Sequence, residues 1–204
     1  MSTRDRILAR LHRALADRPA VPTIPREYRC AGEPEVTREE RLALLVDRLE
    51  DYRAEVRSTD PAGLPETIAQ ALHGARRVVI PTELDRRWVP ATLDVVPDHG
   101  LAAAELDRID AVLTGARLAI AQTGTIVLDG GPDQGRRAIT LVPDRHVCVV
   151  TADQVVYGLP DAITRLDPTR PQTWISGPSA TSDIELDRVE GVHGPRQLTV
   201  ILCS

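Results

Sequence analysis

Short uninterrupted runs of aliphatic residues recur along the chain and constrain its fold more than any other feature. Polar or helix-patterned stretches separate these runs, which lie at residues 77–80, 126–128, 147–150 and 198–202. A strand that is covered on both faces gives a continuous apolar run, which is typical of parallel sheets. Helical patterns at residues 64–72 and 152–166 lie between such runs, as in βαβ crossovers. The sequence therefore predicts an α/β fold with an open, mostly parallel sheet.

The first 36 residues form a region of their own, and the α/β domain is expected to cover residues 37–204. Residues 4–16 carry apolar side chains at helical spacing, which predicts a short amphipathic helix: Ile7, Leu8, Leu11 and Leu15. Four prolines then interrupt residues 18–36 and favour an extended linker: Pro19, Pro22, Pro25 and Pro34. We expect this arm to be available for contact with a neighbouring subunit, including a homo-oligomer. Thr37 and Glu40 have capping-box spacing, which predicts that a second helix starts there.

The composition excludes several classes of function. The chain has no Lys and no Asn, which excludes Schiff-base catalysis and a Walker-type phosphate loop. A net charge of −5 and 2% aromatic residues argue against nucleic-acid binding, which needs concentrated positive charge and stacking platforms. No apolar run approaches the roughly 18 residues of a membrane span, and the charged N-terminal stretch has no signal-peptide pattern. We therefore expect a cytoplasmic protein.

The cysteines and histidines do not show metal-site spacing. Cys30, Cys148 and Cys203 are far apart and odd in number, which argues against a disulfide framework and against a cysteine-held cluster. His12, His73 and His99 lack clustered acidic or cysteine partners, so no metal site is assigned. His146 begins an apolar run, which favours a buried histidine with a satisfied hydrogen bond.

The segment Gln122, Thr123, Gly124 and Thr125 is the first candidate for ligand binding. A glycine between two hydroxyl side chains can bring backbone N–H groups and Oγ atoms close to a carboxylate or phosphate. A tight turn in which the threonines simply begin the next strand explains the same residues equally well.

A glycine-rich loop from residue 130 ends in Arg136 and Arg137, the second candidate. Arginine can hold a carboxylate through two parallel hydrogen bonds, so this pair is a candidate anion clamp. The alternative is a surface loop whose arginines pair with Asp133 or Asp129, at about 0–1 kcal/mol. The loop lacks the GxGxxG pattern, so a dinucleotide site is not supported.

Residues 176–196 form the third candidate. Residues 182–185 match a capping box, and the residues before them would deliver amides and hydroxyls to a helix N-terminus, where anions are favoured. His193 lies between glycines just before the last strand, where it either donates a hydrogen bond or transfers a proton near neutral pH, or is a structural turn residue. The candidates in this segment are Gly177, Ser179, Thr181, Asp183, Glu185, His193 and Gly194.

Taken together, the segments resemble the LUD domain of the lactate-utilization protein C family. The resemblance rests on AIAQTGTIVL at 119–128, SGPSATSDIE at 176–185 and GVHGP at 191–195, and it covers about residues 37–204. It implies the fold of sugar-phosphate isomerases and coenzyme A transferases, a Rossmann-like sheet with helices on both sides.

The resemblance also implies a function. It points to a non-redox subunit of a system that oxidises L-lactate to pyruvate, with the iron–sulfur clusters held by partner subunits and no cofactor on this chain. Such a subunit would bind a small hydroxy or keto acid, or organise its partners. The site lining carried over from the family is Thr123, Gly124, Thr125, Gly177, Ser179, Thr181, Asp183, Glu185, His193 and Gly194.

One departure bears on catalysis. Related sequences often carry Glu where this chain has Gln122, and a neutral amide cannot act as a base or nucleophile. This counts against the alternative function, a stand-alone coenzyme A transferase-like or sugar-phosphate isomerase-like enzyme. No catalytic residue is assigned. A third hypothesis is a purely structural interaction module that acts through the N-terminal arm.

Overall fold

The computed structural model of the protein describes residues 2–17, 22–28, 36–181, 189–191 and 193–204. The helices in this part of the chain are α1 (Thr3–Ala14), α2 (Arg38–Asp51), α3 (Leu64–Ala71), α4 (Ala103–Leu106) and α5 (Leu159–Arg165). The strands are β1 (Glu55–Thr59), β2 (Val78–Ile80), β3 (Val95–Pro97), β4 (Ala111–Thr114), β5 (Leu118–Ile120), β6 (Thr125–Leu128), β7 (Arg145–Thr151), β8 (Val155–Val156), β9 (Thr173–Ile175), β10 (Ala180–Thr181), β11 (Val189–Glu190) and β12 (Gln197–Cys203).

A six-stranded sheet forms the centre of the molecule, in the order β1-β12-β7-β4-β2-β3. All of its neighbouring strands run parallel, so the predicted α/β class with an open, mostly parallel sheet is confirmed. The central strands β7 and β12 alternate between two aliphatic cores. Cys148 and Val150 pack with α2 on one face, while Val147 and Val149 pack with α3 on the other. The sheet is thus covered on both faces, which explains its continuous apolar runs.

A second sheet of four strands, in the order β8-β5-β6-β9, packs beside the first. β6 contains the apolar run at residues 126–128, and it pairs antiparallel with β5 and with β9. The prediction of a parallel strand was therefore wrong for this run. The cause is the turn at Gly124, whose φ of 57° reverses the chain after β5 and builds a hairpin.

The predicted helix over residues 152–166 is correct only in its second half. A 3₁₀ turn at Ala152–Gln154 and the short strand β8 come first, and α5 begins after Gly158. Pro160 lies in the first turn of α5, where the backbone N–H groups have no partner within the helix, so the missing N–H of proline costs no hydrogen bond. In the interior of a helix over residues 152–166, the same proline would remove a hydrogen bond and break the helix. The predicted helices α1, α2 and α3 are confirmed, including the capping box of α2, in which Glu40 N donates to Thr37 Oγ1 at 3.2 Å. The helix predicted to begin at residue 182 lies outside the described residues.

Helix α1 buries none of its residues against the described part of the chain. The large apolar side chains of α1 and of its C-cap, Leu15, are between 41% and 66% exposed: Ile7, Leu8, Leu11 and Leu15. The contact of this arm with a neighbouring subunit stays a prediction. Over the described ranges, no helix is long and apolar enough to cross a membrane.

The C-terminal end of α2 lies directly against two glycine turns. A Cβ atom on Gly124 would be 2.8 Å from Cβ of Arg48, and one on Gly177 would be 2.7 Å from Cβ of Tyr52. Both glycines have positive φ, 57° and 84°, which residues with a side chain rarely adopt. The turns before β6 and after β9 therefore depend on glycine for both backbone shape and space.

Substituting Gly124 tests this contact. We expect Gly124→Ala to lower the free energy of unfolding by about 2–4 kcal/mol, from the left-handed backbone and the overpacking against α2. Gly74→Ala is the control, because Gly74 has a similar φ of 82° but, among the described residues, no atom within 4 Å of an added Cβ. This variant should lose only about 1–2 kcal/mol. Urea unfolding measures both losses. Equal losses would contradict the role of the α2 contact.

Candidate functional site

A first cavity, of about 550 Å³, opens where β2 and β3 end. Its wall includes Pro81 and Asp98, which follow these strands, and the loop at residues 129–137. In the sheet, β3 lies on one side of β2, at the edge, and β4, the next strand along the chain, lies on the other side of β2. Such a switch point at the carboxyl ends of parallel strands is where open α/β sheets bind ligands.

Arg136 is held in the wall of the first cavity by an ion pair. Its Nε donates to Asp98 Oδ2 at 2.6 Å and its second amino group to Asp98 Oδ1 at 2.9 Å, and it also donates to the carbonyl oxygen of Leu101. The Arg136 hydrogen bonds hold the pKa of Asp98 below its ordinary value. Arg136, which was predicted to be part of an anion clamp, is thus already paired with a carboxylate of the protein, and its partner Asp98 was not predicted from the sequence.

Asp129 forms another part of this wall and is almost completely buried. Its Oδ2 lies 3.5 Å from Nε of Arg170 and 3.7 Å from Nε of Arg117, and its backbone N–H donates to Gln134 Oε1 at 2.6 Å. Burial raises the pKa of the neighbouring Asp133. The charges of this loop are therefore largely balanced within the protein.

A second cavity, of about 210 Å³, lies where β7 and β12 begin. Ser179 joins the two chain segments that line it. Its N–H donates to Pro195 O at 2.8 Å, its Oγ accepts from His193 N at 3.1 Å, and its carbonyl oxygen accepts from Gly191 N at 3.0 Å. Hydrogen bonds through Ser179 thus hold the segment after β9 against the turn before β12.

Arg137 stands in the wall between the two cavities and lines both. It donates to Thr140 Oγ1 at 3.1 Å and to His193 O at 3.3 Å. Within the described part of the chain no carboxylate lies within 4.0 Å of its guanidinium. Partial burial lowers the pKa of Arg137. The residue is exposed overall, and a guanidinium without a carboxylate partner among the described residues can bind an anion through charge-assisted hydrogen bonds.

His146 is 1% exposed and is one of the residues that line the second cavity. Its Nε2 is hydrogen-bonded to Thr114 Oγ1 at 2.8 Å, so the predicted buried and satisfied histidine is confirmed. Burial, with a smaller contribution from the charge of Arg137, lowers the pKa of His146 to about 4. The ring is therefore neutral at physiological pH.

The structure brings some of the predicted site residues together and separates others. The predicted residues that line the second cavity are Arg137, Gly177, Ser179, His193 and Gly194. Thr125 lies behind it and is linked to it through a 2.8 Å bond between its Oγ1 and Ser176 Oγ.

The other predicted residues lie elsewhere. Thr123 bonds Thr125, and Gly124 packs against α2. Gln122 lies outside both cavities, with its N–H bonded to Tyr157 O at 2.9 Å. The backbone of Thr181 is in β10, whereas Asp183 and Glu185 lie outside the described residues.

Sequence reasoning missed the contributions of Thr114, Thr140 and His146 to this site. Thr114 and His146 meet because Val112 pairs with His146 across β4 and β7, which places Thr114 diagonally opposite. No pattern in a single sequence gives that register. Thr140 carried a local signal, since it follows Arg137 by three residues in a 3₁₀ turn.

The LUD domain family model matches residues 37–203. The chain belongs to the LUD domain family. Its LUD domain is similar to lactate utilization protein C of Deinococcus radiodurans, with 50% identity over 172 residues that cover 82% of this chain and 81% of the relative. Lactate utilization protein C of Exiguobacterium sp. is 26% identical over 222 aligned positions, covering 99% of this chain and 96% of the relative.

A solved structure shows the same architecture. The crystal structure of a DUF162 family protein from Deinococcus radiodurans matches with a TM-score of 0.73 and 43% identity. The match covers 83% of this chain and 99% of the other. The LUD fold described above is therefore shared with an experimentally determined relative.

The low pKa of His146 predicts a pH dependence of stability. Below about pH 6.5 the unfolded chain binds a proton on this ring, whereas the folded chain, with a pKa of about 4, does not. The free energy of unfolding should therefore fall as the pH drops from about 6.5 to about 4, by up to about 3 kcal/mol. His146→Gln should remove this part of the loss in urea unfolding, and His99→Gln, at an exposed position, should keep it. An identical pH slope in wild type and His146→Gln would contradict the assignment.

Proposed function

We propose that this chain is the non-redox subunit of a lactate-utilization system and binds a small organic acid between Arg137 and His146. The names of its relatives support the metabolic role. Under this proposal, partner subunits hold the iron–sulfur clusters and oxidise L-lactate to pyruvate, while this chain is not independently redox-active. The observation that carries the proposal is the guanidinium of Arg137 in the wall of the second cavity, which has no carboxylate partner among the described residues.

The size and lining of the second cavity support a small ligand. About 210 Å³ is less than the roughly 300–1,000 Å³ that drug-sized ligands occupy. Trp174, Ile175 and Leu198 supply apolar surface, and Arg137 supplies the charge. A carboxylate with a short apolar group, such as a three-carbon acid, matches this combination.

Arg137→Gln tests the binding part of the proposal. We expect isothermal titration calorimetry to show L-lactate affinity at least about tenfold weaker in this variant, because a charge-assisted hydrogen bond is lost. Arg86→Gln is the matched control, since Arg86 is exposed and lines neither cavity, and it should bind like the wild type. Both variants should melt within a few degrees of the wild type.

Copurification tests whether the chain assembles with the proposed partner subunits. The tagged chain should retain iron–sulfur lactate-utilization subunits from cells that produce them together. A chain that binds neither these subunits nor any small carboxylate would refute the proposed function.

A further inference from the structure

A chain of hydrogen bonds runs from the second cavity into the sheet. Cys148 Sγ donates to the carbonyl oxygen of Gly115 at 3.5 Å, and Thr114 Oγ1 donates to Cys148 Sγ at 3.8 Å. Thr114 Oγ1 also lies 2.8 Å from Nε2 of His146. Cys148 and Thr114 are completely buried and His146 is 1% exposed, so water does not compete for these bonds.

The direction of each bond follows from the number of protons available. Burial raises the pKa of Cys148 to about 12, so the thiol keeps its one proton and directs it to Gly115 O, which can only accept. The hydroxyl of Thr114 directs its proton to Cys148 Sγ. The hydroxyl of Thr114 has no second proton, so Thr114 accepts from Nε2 of His146.

This order fixes the tautomer of His146. The ring is neutral and carries its single proton on Nε2, which leaves Nδ1 with a free lone pair. Among the described residues, none donates a hydrogen bond to Nδ1. The ring lines the second cavity together with Arg137, so this cavity offers one cation and one buried hydrogen-bond acceptor.

We infer that the second cavity recognises the hydroxyl group of a 2-hydroxy acid, with the carboxylate on Arg137 and the hydroxyl donating to Nδ1 of His146. This inference rests on the proposed function and specifies its substrate class. The hydroxyl of such an acid is on the carbon next to the carboxylate, which keeps the donor and the anion close together within a cavity of about 210 Å³. A 2-oxo acid would place a carbonyl oxygen next to Nδ1 instead, and the lone pairs of this oxygen would repel the lone pair of Nδ1. A site built for a ligand hydroxyl discriminates against an analogue that lacks the donor.

Calorimetric titrations with L-lactate and with pyruvate test the preference. We expect the wild type to bind L-lactate about tenfold more tightly than pyruvate, since one hydrogen bond is gained and one repulsion avoided. Thr114→Val removes the acceptor for Nε2–H and releases the tautomer, so the preference should fall to about twofold or less. Thr114→Ser keeps the hydroxyl and should keep the preference.

The tautomer itself is measured by ¹⁵N NMR of histidine-labelled protein. The signal that disappears in His146→Gln should show the Nε2–H form at pH 7 without ligand. An Nδ1–H form would overturn the inference even if Thr114→Val fails to fold.

The outcomes separate this inference from the proposed function. Equal affinity for L-lactate and pyruvate in the wild type, both weakened by Arg137→Gln, would refute hydroxyl recognition and leave acid binding at Arg137 in place. Absence of binding by either acid would refute both.

Discussion

The close approach of helix α2 to two glycine turns is the constraint on which the site depends. Gly124 and Gly177 meet Arg48 and Tyr52 at distances that leave no room for a Cβ atom. The contact fixes the turn before β6 and the turn after β9, and the bond between Thr125 and Ser176 joins them. The segment that continues to Ser179 is then held against the turn before β12. The segment at residues 176–179, which forms part of the lining of the second cavity, is therefore positioned by packing against α2.

Two adjacent arginines differ in whether they form an ion pair, and this difference separates a structural role from a binding role. Arg136 is neutralised by Asp98, and its bonds tie the loop before β7 to the end of β3. Arg137 meets only a hydroxyl and a carbonyl oxygen among the described residues. The first contributes to structure, whereas the second keeps its charge available for an anion. The same loop thus closes one cavity and supplies the binding group of the other.

The sequence predicted the fold class because burial on both faces gives continuous aliphatic runs, and it predicted α2 because its capping box is local. It allowed a tight turn at Gly124 before β6 but did not predict the antiparallel pairing of this strand, because the pairing joins strands that only the fold brings together. The pairing of Arg136 with Asp98 also joins residues that only the fold brings together. The contact between Thr114 and His146 depends on strand register. Features that depend on neighbouring residues in the sequence could therefore be predicted, whereas contacts between separate strands could not.

The central claim is that Arg137 and His146 together hold the ligand. A crystal structure determined after soaking with L-lactate tests it directly. We expect density in the second cavity, with the carboxylate oxygens within about 3 Å of the Arg137 guanidinium and the hydroxyl oxygen within about 3 Å of Nδ1 of His146. Lactate bound only in the first cavity, or a second cavity empty at a concentration that saturates the protein in calorimetry, would contradict it.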